Sequence, residues 1–243
     1  MEPFENAIYG ERCADVYDEW FGSYEEATIN VLEELARKGR ALELGIGTGL
    51  IALPLAARGV DVEGIDYSPA MISRLRAKPS GDSIKVTVGD FADVGVEGKF
   101  SLIFILFNTF FALQSQEEQV RCFRNVAEHL TADGVFVLEA FSPGATIYNG
   151  KQDIKVTAVT NDRVSLKASQ HDPAQQKLKS QHIVLINNEV RLYPVEIRYA
   201  WPSEIDLMAR LAGLRLRSRW SNWKREEFTS GSEKHISVYE RVG

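Results

Sequence analysis

Cysteine is scarce in this chain: only Cys13 and Cys122 are present, with no CxxC and no ligand-like spacing to a histidine. That excludes a disulfide scaffold, argues against a structural zinc site and suits a reducing compartment. No apolar run approaches the roughly 20 residues needed to cross a bilayer. The opening MEPFENAIYGER has early acidic residues and no apolar stretch, so it does not read as a signal peptide. Positive charge is in deficit: 28 Lys and Arg against 34 Asp and Glu give a net charge of −6, which disfavours a nucleic-acid partner. Internal repeats and low-complexity linkers are absent. What remains is a cytoplasmic protein of 243 residues, 44% hydrophobic and 26% charged. Such a chain can build one large core, or one core with a small satellite.

The informative stretch is ALELGIGTGL, residues 41–50. Apolar residues and Glu43 run into Gly45, Gly47 and Gly49, and a helix-forming stretch follows. The pattern predicts a strand, a tight turn free of side chains and a helix N-terminus whose unpaired N–H groups face a ligand. A dinucleotide-binding turn competes with this, but its third glycine falls five residues after the first, where this chain has Leu50.

The rest of the chain falls into a long alternation and a short interruption. Residues 1–38 read as amphipathic helices with Tyr9, Cys13, Tyr17 and Trp20 at helical spacing, placed to fold over the glycine strand as a lid. Strands are predicted at 62–66, 84–88, 100–107 and 135–141, the last after a turn at Asp133-Gly134. Helices come between them at 50–58, after Ser68-Pro69, and from the capping box of Ser115 and Glu118 through Leu130. Five strands alternating with helices predict an α/β, doubly wound, mostly parallel sheet. Four alternating segments follow at 154–160, 163–171, 177–187 and 190–199, predicting a small antiparallel β appendage over 143–200. A helix at 202–212 and strands at 214–220 and 235–242 return to the main unit, so 1–142 and 201–243 form one core.

In an open α/β sheet, ligands sit beyond the carboxyl ends of the strands. Those ends read Glu43-Leu44-Gly45, Ile65-Asp66, Gly89-Asp90-Phe91 and Phe107-Asn108. Asp66 comes 21 residues after Gly45, the distance at which a strand-two carboxylate meets both ribose hydroxyls. Asp90 can accept from an exocyclic amine while the Phe91 ring lies near a purine. A nucleoside ligand follows from three separate strands.

Taken together, ELGIGTG, EGIDYSPAM, GDF, FILFNTFFAL and DGVFVLEAF resemble the class I S-adenosylmethionine-dependent methyltransferases across most of residues 35–142. The resemblance implies a seven-stranded sheet whose last strand is antiparallel. It implies S-adenosylmethionine as cofactor, S-adenosylhomocysteine as product, and no metal. It puts Gly45, Gly47 and Gly49 against the cofactor's amino-acid part and sugar, with Glu43 as the acidic residue before the first glycine. It puts Asp66 on the ribose, Tyr67 and Met71 along the adenine and Asp90 on its amine; Tyr17, Phe91 and Phe107 complete the cofactor set. A narrower resemblance is to N-methyltransferases of antibiotic amino-sugar pathways, through Tyr9 and Tyr17-Asp18, although Ala112 stands where that family commonly has a histidine. Asn108-Thr109-Phe110-Phe111 looks like enzymes that dimethylate the N-terminal amine of ribosomally made peptides.

The acceptor is therefore expected to be an amine on a small natural product or short peptide, with neither nucleic acid nor membrane as partner and a homodimer allowed. Its pocket is expected to be framed by Tyr9, Tyr17, Asn108, Phe111, Phe141 and the loop of Trp223 and Lys224, with the appendage covering it. Tyr9 and Asn108 would orient the nucleophile. Of four histidines, His129, His171 and His182 are expected in solvated positions. His235, at the start of the last strand, is the candidate to touch substrate, and would serve as base if the acceptor were a hydroxyl. Alternating arginines in LRLRSRW predict a solvated strand face. A protein that binds the nucleoside without transferring a methyl group, or a cyclase, is the reading from another class.

Overall fold

A computed structural model describes residues 6–93, 95–144 and 152–243. Residues 1–5 and 145–151, which the sequence reading gave to the N-terminal helix and the start of the appendage, lie outside the described residues.

Three short helices, α1 (Asn6–Cys13), α2 (Tyr17–Phe21) and α3 (Glu26–Ala36), precede the sheet. Strands β1 (Arg40–Leu44), β2 (Asp61–Asp66), β3 (Lys85–Val88), β4 (Phe100–Ile105) and β5 (Leu130–Phe141) then alternate with α4 (Ala52–Ala57), α5 (Pro69–Arg76) and α6 (Gln116–His129). After β5 come β6 (Gln152–Val159), β7 (Arg163–Asp172), β8 (Lys177–Ile186) and β9 (Glu189–Arg198). Helix α7 (Pro202–Leu211), β10 (Leu214–Trp220) and β11 (Lys234–Arg241) close the chain. Two sheets result, a seven-stranded one in the order β10-β11-β5-β4-β1-β2-β3 and a separate four-stranded β6-β7-β8-β9. In the larger sheet β1 to β5 are parallel, while β11 runs antiparallel to both β5 and β10. This is the doubly wound, seven-stranded fold with an antiparallel last strand and a β appendage.

Burial explains why the central strands are apolar throughout. Leu102 and Phe104 of β4 pack toward α3 and α4, while Ile103 and Ile105 pack with Phe123 and Val126 of α6 on the opposite face. Helix α6 begins at the predicted capping box: Glu118 N–H donates to Ser115 Oγ at 3.1 Å and Ser115 N–H to Glu118 Oε2 at 3.0 Å. Two boundaries differ from the sequence reading. Strand β4 ends at Ile105 because Phe107 and Asn108 adopt φ of 53° and 66°, outside the extended region. Strand β5 starts at Leu130, paired with Phe100, and runs through Asp133-Gly134 with a register shift in place of a turn.

Candidate active site

A cavity of about 470 Å³ lies over the carboxyl ends of β1, β2 and the segment after β4, roofed by the N-terminal helices. Gly45, Gly47, Asp66, Tyr67, Met71, Asp90 and Phe91 line it, as do Tyr9 of α1 and Tyr17 of α2. The sequence reading thus brought nine of its site residues to one place.

The glycine turn is held from beneath. Gly45 and Ile46 N–H groups donate to Ile65 O at 2.8 and 2.9 Å, tying β1 to β2 where both strands end. Gly47 N–H donates to Asp66 Oδ2 at 2.7 Å, and Ser68 N–H to Asp66 Oδ1 at 2.8 Å. Burial raises the Asp66 carboxyl above its usual range, and the backbone N–H groups of Ser68, Gly47 and Tyr67 oppose that rise. Asp66 therefore braces the turn while presenting its carboxylate to the cavity.

The glycines divide their work. A Cβ at Gly47, whose φ is 54°, would meet nothing within 4 Å, so this is the bare backbone that faces the cavity. Gly49 is absent from the lining: a Cβ there would collide with Leu75 Cδ1, so this glycine lets α5 pack against the turn. The helix after the turn also differs from expectation. The Ala52 N–H turns down to the Glu43 carboxylate and does not face the cavity. Glu43 is buried beneath the turn, with Oε2 unpartnered; burial, then repulsion from Asp66, drives its carboxyl well above the usual range.

The roof is fastened to this floor. Thr48 Oγ1 donates to Asp18 Oδ1 at 2.6 Å, and Lys78 Nζ bridges Asp18 Oδ2 at 2.6 Å and Thr48 O at 2.8 Å. Glu11 of α1 accepts from Ser68 Oγ at 2.8 Å and Ala70 N–H at 3.2 Å. These bonds set Tyr9 and Tyr17 over the glycine turn. Burial pushes both phenols up, Tyr9 next to Cys13 and Tyr17 among Cys13, Glu43 and Asp66, so both remain protonated donors. The Cys13 thiol beside them is pushed up to about 12 by burial and stays neutral.

Residues missed at the sequence level complete the wall. Gly10, Ser68, Thr109, Ala112, Leu113, Gln114 and Glu118 line the cavity. Ser68 and Glu118 were legible as helix caps, but a capping role does not say which cavity a cap borders. Gln114 Nε2 donates to Ala112 O and Glu196 O at 3.0 and 2.9 Å, joining the wall to β9 of the appendage.

Other predicted residues lie elsewhere. Phe107, Asn108 and His235 are not in the lining. Asn108 Oδ1 accepts from Phe141 N–H at 2.7 Å, so its side chain ties the end of β4 to the end of β5. His235 is fully buried, with Nδ1 against Ser237 Oγ at 2.8 Å. Burial, then the charge of Arg219, lowers its imidazole to about 3, which leaves it neutral. His171 is buried and bonded through Nε2 to Tyr199 Oη at 2.9 Å, not solvated, and Trp223 sits in the core. His129 has both ring nitrogens against carbonyls, of Asn125 and Val96, and His182 lies half-buried by Trp20. Arg215 and Arg217 face outward as predicted and pair with Glu240. Arg219 does not. A register shift between Leu216 and Ser218 sends it inward, onto Asp206 at 2.6 Å and Ser237 at 2.8 Å.

The family model for a methyltransferase domain matches residues 41–134. Cypemycin N-terminal methyltransferase from a Streptomyces species is 30% identical over 201 residues, spanning 82% of this chain and 82% of that protein. This chain is a class I S-adenosylmethionine-dependent methyltransferase. The solved CcbJ methyltransferase from Streptomyces caelestis matches the methyltransferase described here with a TM-score of 0.92 and 37% identity, covering 99% of this chain and 100% of that one. The sugar N-methyltransferase KedS8 from Streptoalloteichus has the same fold, with a TM-score of 0.69 at 18% identity over 94% of this chain and 92% of its own. The cavity of the methyltransferase fits the cofactor: open backbone at Gly47, two rim carboxylates and an unpartnered buried carboxyl at Glu43 suit a nucleoside carrying an amino acid.

Proposed function

We propose that this methyltransferase methylates an amine of a small natural product or short peptide. The observation that carries the reading is the chemistry of the cavity wall. Tyr9 and Tyr17 are phenols held protonated, Asp66 is bound to backbone N–H groups, and Asp90 Oδ1 accepts from Ala92 N–H at 2.8 Å. Glu118 is likewise engaged, by Gln114 and Ser115 N–H groups. A wall of engaged acids and protonated phenols suits an acceptor that needs only to lose a proton to solvent before attack, as an amine does. A relative named for peptide N-terminal methylation supports the same acceptor atom.

In this reading Asp66 takes the ribose and Asp90 the adenine amine, while Tyr67, Met71 and Phe91 flank the base and Glu43 supports the turn by accepting from Ala52 N–H. S-adenosylmethionine, when bound, supplies a methyl group already activated on a positively charged sulfur. The protein's own task is then position and exclusion of water. Tyr9 and Tyr17 hydroxyls orient the incoming amine from the roof. Asn108 acts at one remove, holding the end of β5 and hence Phe141 in place. A hydroxyl acceptor would need a base, and His235 is sealed away with its pKa far below neutrality.

The test is turnover with S-adenosylmethionine and two probes, a peptide with a free N-terminus and an amino sugar, scored by S-adenosylhomocysteine release and the mass gain of a methyl group. Methylation of either amine is expected, with Tyr9→Phe reducing kcat on the order of tenfold and leaving cofactor affinity unchanged. Methylation confined to hydroxyl probes would overturn the reading.

A further inference from the structure

The four-stranded sheet has two unlike faces. Its inner face carries Val184 and Tyr193, which pack on Cys13, Ala14 and Met71, and His182, beside Trp20 of α2. Cross-strand register defines the outer face as a set of rows. One row is Val156, Leu166, Ile183 and Leu192; the next is Val159, Val164, Leu185 and Val190. A third holds Ile154, Ala168, Gln181 and Pro194, and the row beyond it turns polar with Gln152, Gln170, Lys179 and Glu196.

Eight aliphatic side chains thus fill two adjacent rows with no charge among them. Ile154, Val156, Val159 and Val190 are 63%, 63%, 70% and 62% exposed. A contiguous patch of this kind is at the upper end of what a free monomer exposes, and patches of that size are often functional. Its completeness depends on an irregularity: the register shifts between Val156 and Ala158, so Val159 pairs with Val164 and stays on the same face as Val156. Without that bulge, strict alternation would turn Val159 to the inner side.

The geometry points to a second copy of this chain as the occupant, seated sheet face against sheet face about a two-fold axis. Two observations favour it, and the geometry of sheet packing allows it. The six most exposed aliphatics of these rows present roughly 550 Å² before the half-buried ones are added, about two thirds of the ~800 Å² per partner of a stable interface. An apolar centre bordered by a polar row, in which Lys179 pairs with Glu196 at 3.5 Å, has the anatomy of a protein interface and matches itself without charge conflict. Two twisted sheets packed about 10 Å apart form a sandwich, the usual way to bury such a face. A membrane surface is a poorer fit, because the turn between β6 and β7 carries Asp162, Lys179 of the polar border is paired with Glu196, and among the described residues the face has no aromatic fringe of the kind that seats a protein at lipid headgroups. The inference stands independently of the acceptor's identity.

The experiment is light scattering on size-exclusion peaks of the full chain across a hundredfold concentration range, with Val156→Lys/Leu192→Lys and, separately, Val159→Glu. The wild type is expected at twice the chain mass, and both variants at the monomer mass or with at least a hundredfold weaker association. Circular dichroism and S-adenosylmethionine binding check that the variants fold; all three positions are exposed and the cavity lies elsewhere. A monomeric wild type, a dimer that survives both sets of substitutions in folded protein, or a monomer that sediments with anionic vesicles would each overturn the proposal.

Discussion

The larger sheet is covered on both faces and the smaller on one, and their strands are written accordingly. Strand β4 reads FSLIFI with every residue but Ser101 buried, whereas β6 reads QDIKVTAV with almost every residue exposed. In the first, alternate residues meet α3 and α4 on one side and α6 on the other. In the second, the inner face meets the N-terminal helices and the outer face meets solvent. The difference shows how one chain separates tasks. A doubly covered sheet holds the glycine turn and the carboxylates in place, and a singly covered sheet packs against the N-terminal helices that roof the site and leaves its other face exposed.

The contrast can be strained in four ways. Phe104→Ala, deep in β4, is expected to cost about 3–5 kcal/mol in urea unfolding, while Val184→Ala on the inner face of β8 costs about 2 kcal/mol. Equal losses would mean that the appendage is as tightly integrated as the core. A second route is pH. His235 in the larger sheet is lowered to about 3 when folded, against an ordinary 6.5, so the unfolded chain takes up the proton first. Its contribution is complete above about pH 6.5 and is lost as pH falls toward 3, about 2 kcal/mol between pH 7.5 and 5. His235→Gln is expected to flatten that slope; what remains belongs partly to His182 of the appendage, which burial also lowers.

Third, Asp66→Asn is expected to weaken S-adenosylmethionine about tenfold by calorimetry, or about 1.4 kcal/mol, with little change in the mass seen by light scattering. Loss of both would show that the rim and the appendage are not separable. The smallest effect is expected from Arg215→Glu/Arg217→Glu, whose exposed pairs with Glu240 are worth within about 1 kcal/mol in thermal unfolding. A larger loss would place β10 among the doubly covered strands.

Legibility followed locality. The capping box at Ser115, the Ser68 cap with Pro69 behind it, and the alternation of β7 to β9 are local patterns, and the structure has them where the sequence put them. Asp66 and Asp90 reached the cavity because strand ends of a parallel sheet share one rim. Gly49 lies outside the lining, where it lets Leu75 pack, because glycine serves equally for ligand approach and for helix packing and the sequence does not distinguish them. Arg219 went inward because a bulge of one residue reverses the faces of a strand, and nothing in LRLRSRW marks where the ladder slips. His171 and Trp223 were placed by partners distant in sequence, and His235 by the pairing of its strand with β5 at Ala140.

Period and spacing along the chain were enough to determine the alternating fold, the glycine turn, the two rim carboxylates and the existence of an appendage. These depend on backbone geometry, which repeats from residue to residue. Which groups share the cavity, which histidine is sealed and which face of the small sheet is bare were decided only by tertiary structure. Each depends on what is packed opposite, and burial sets both the protonation of a side chain and the surface it leaves for others.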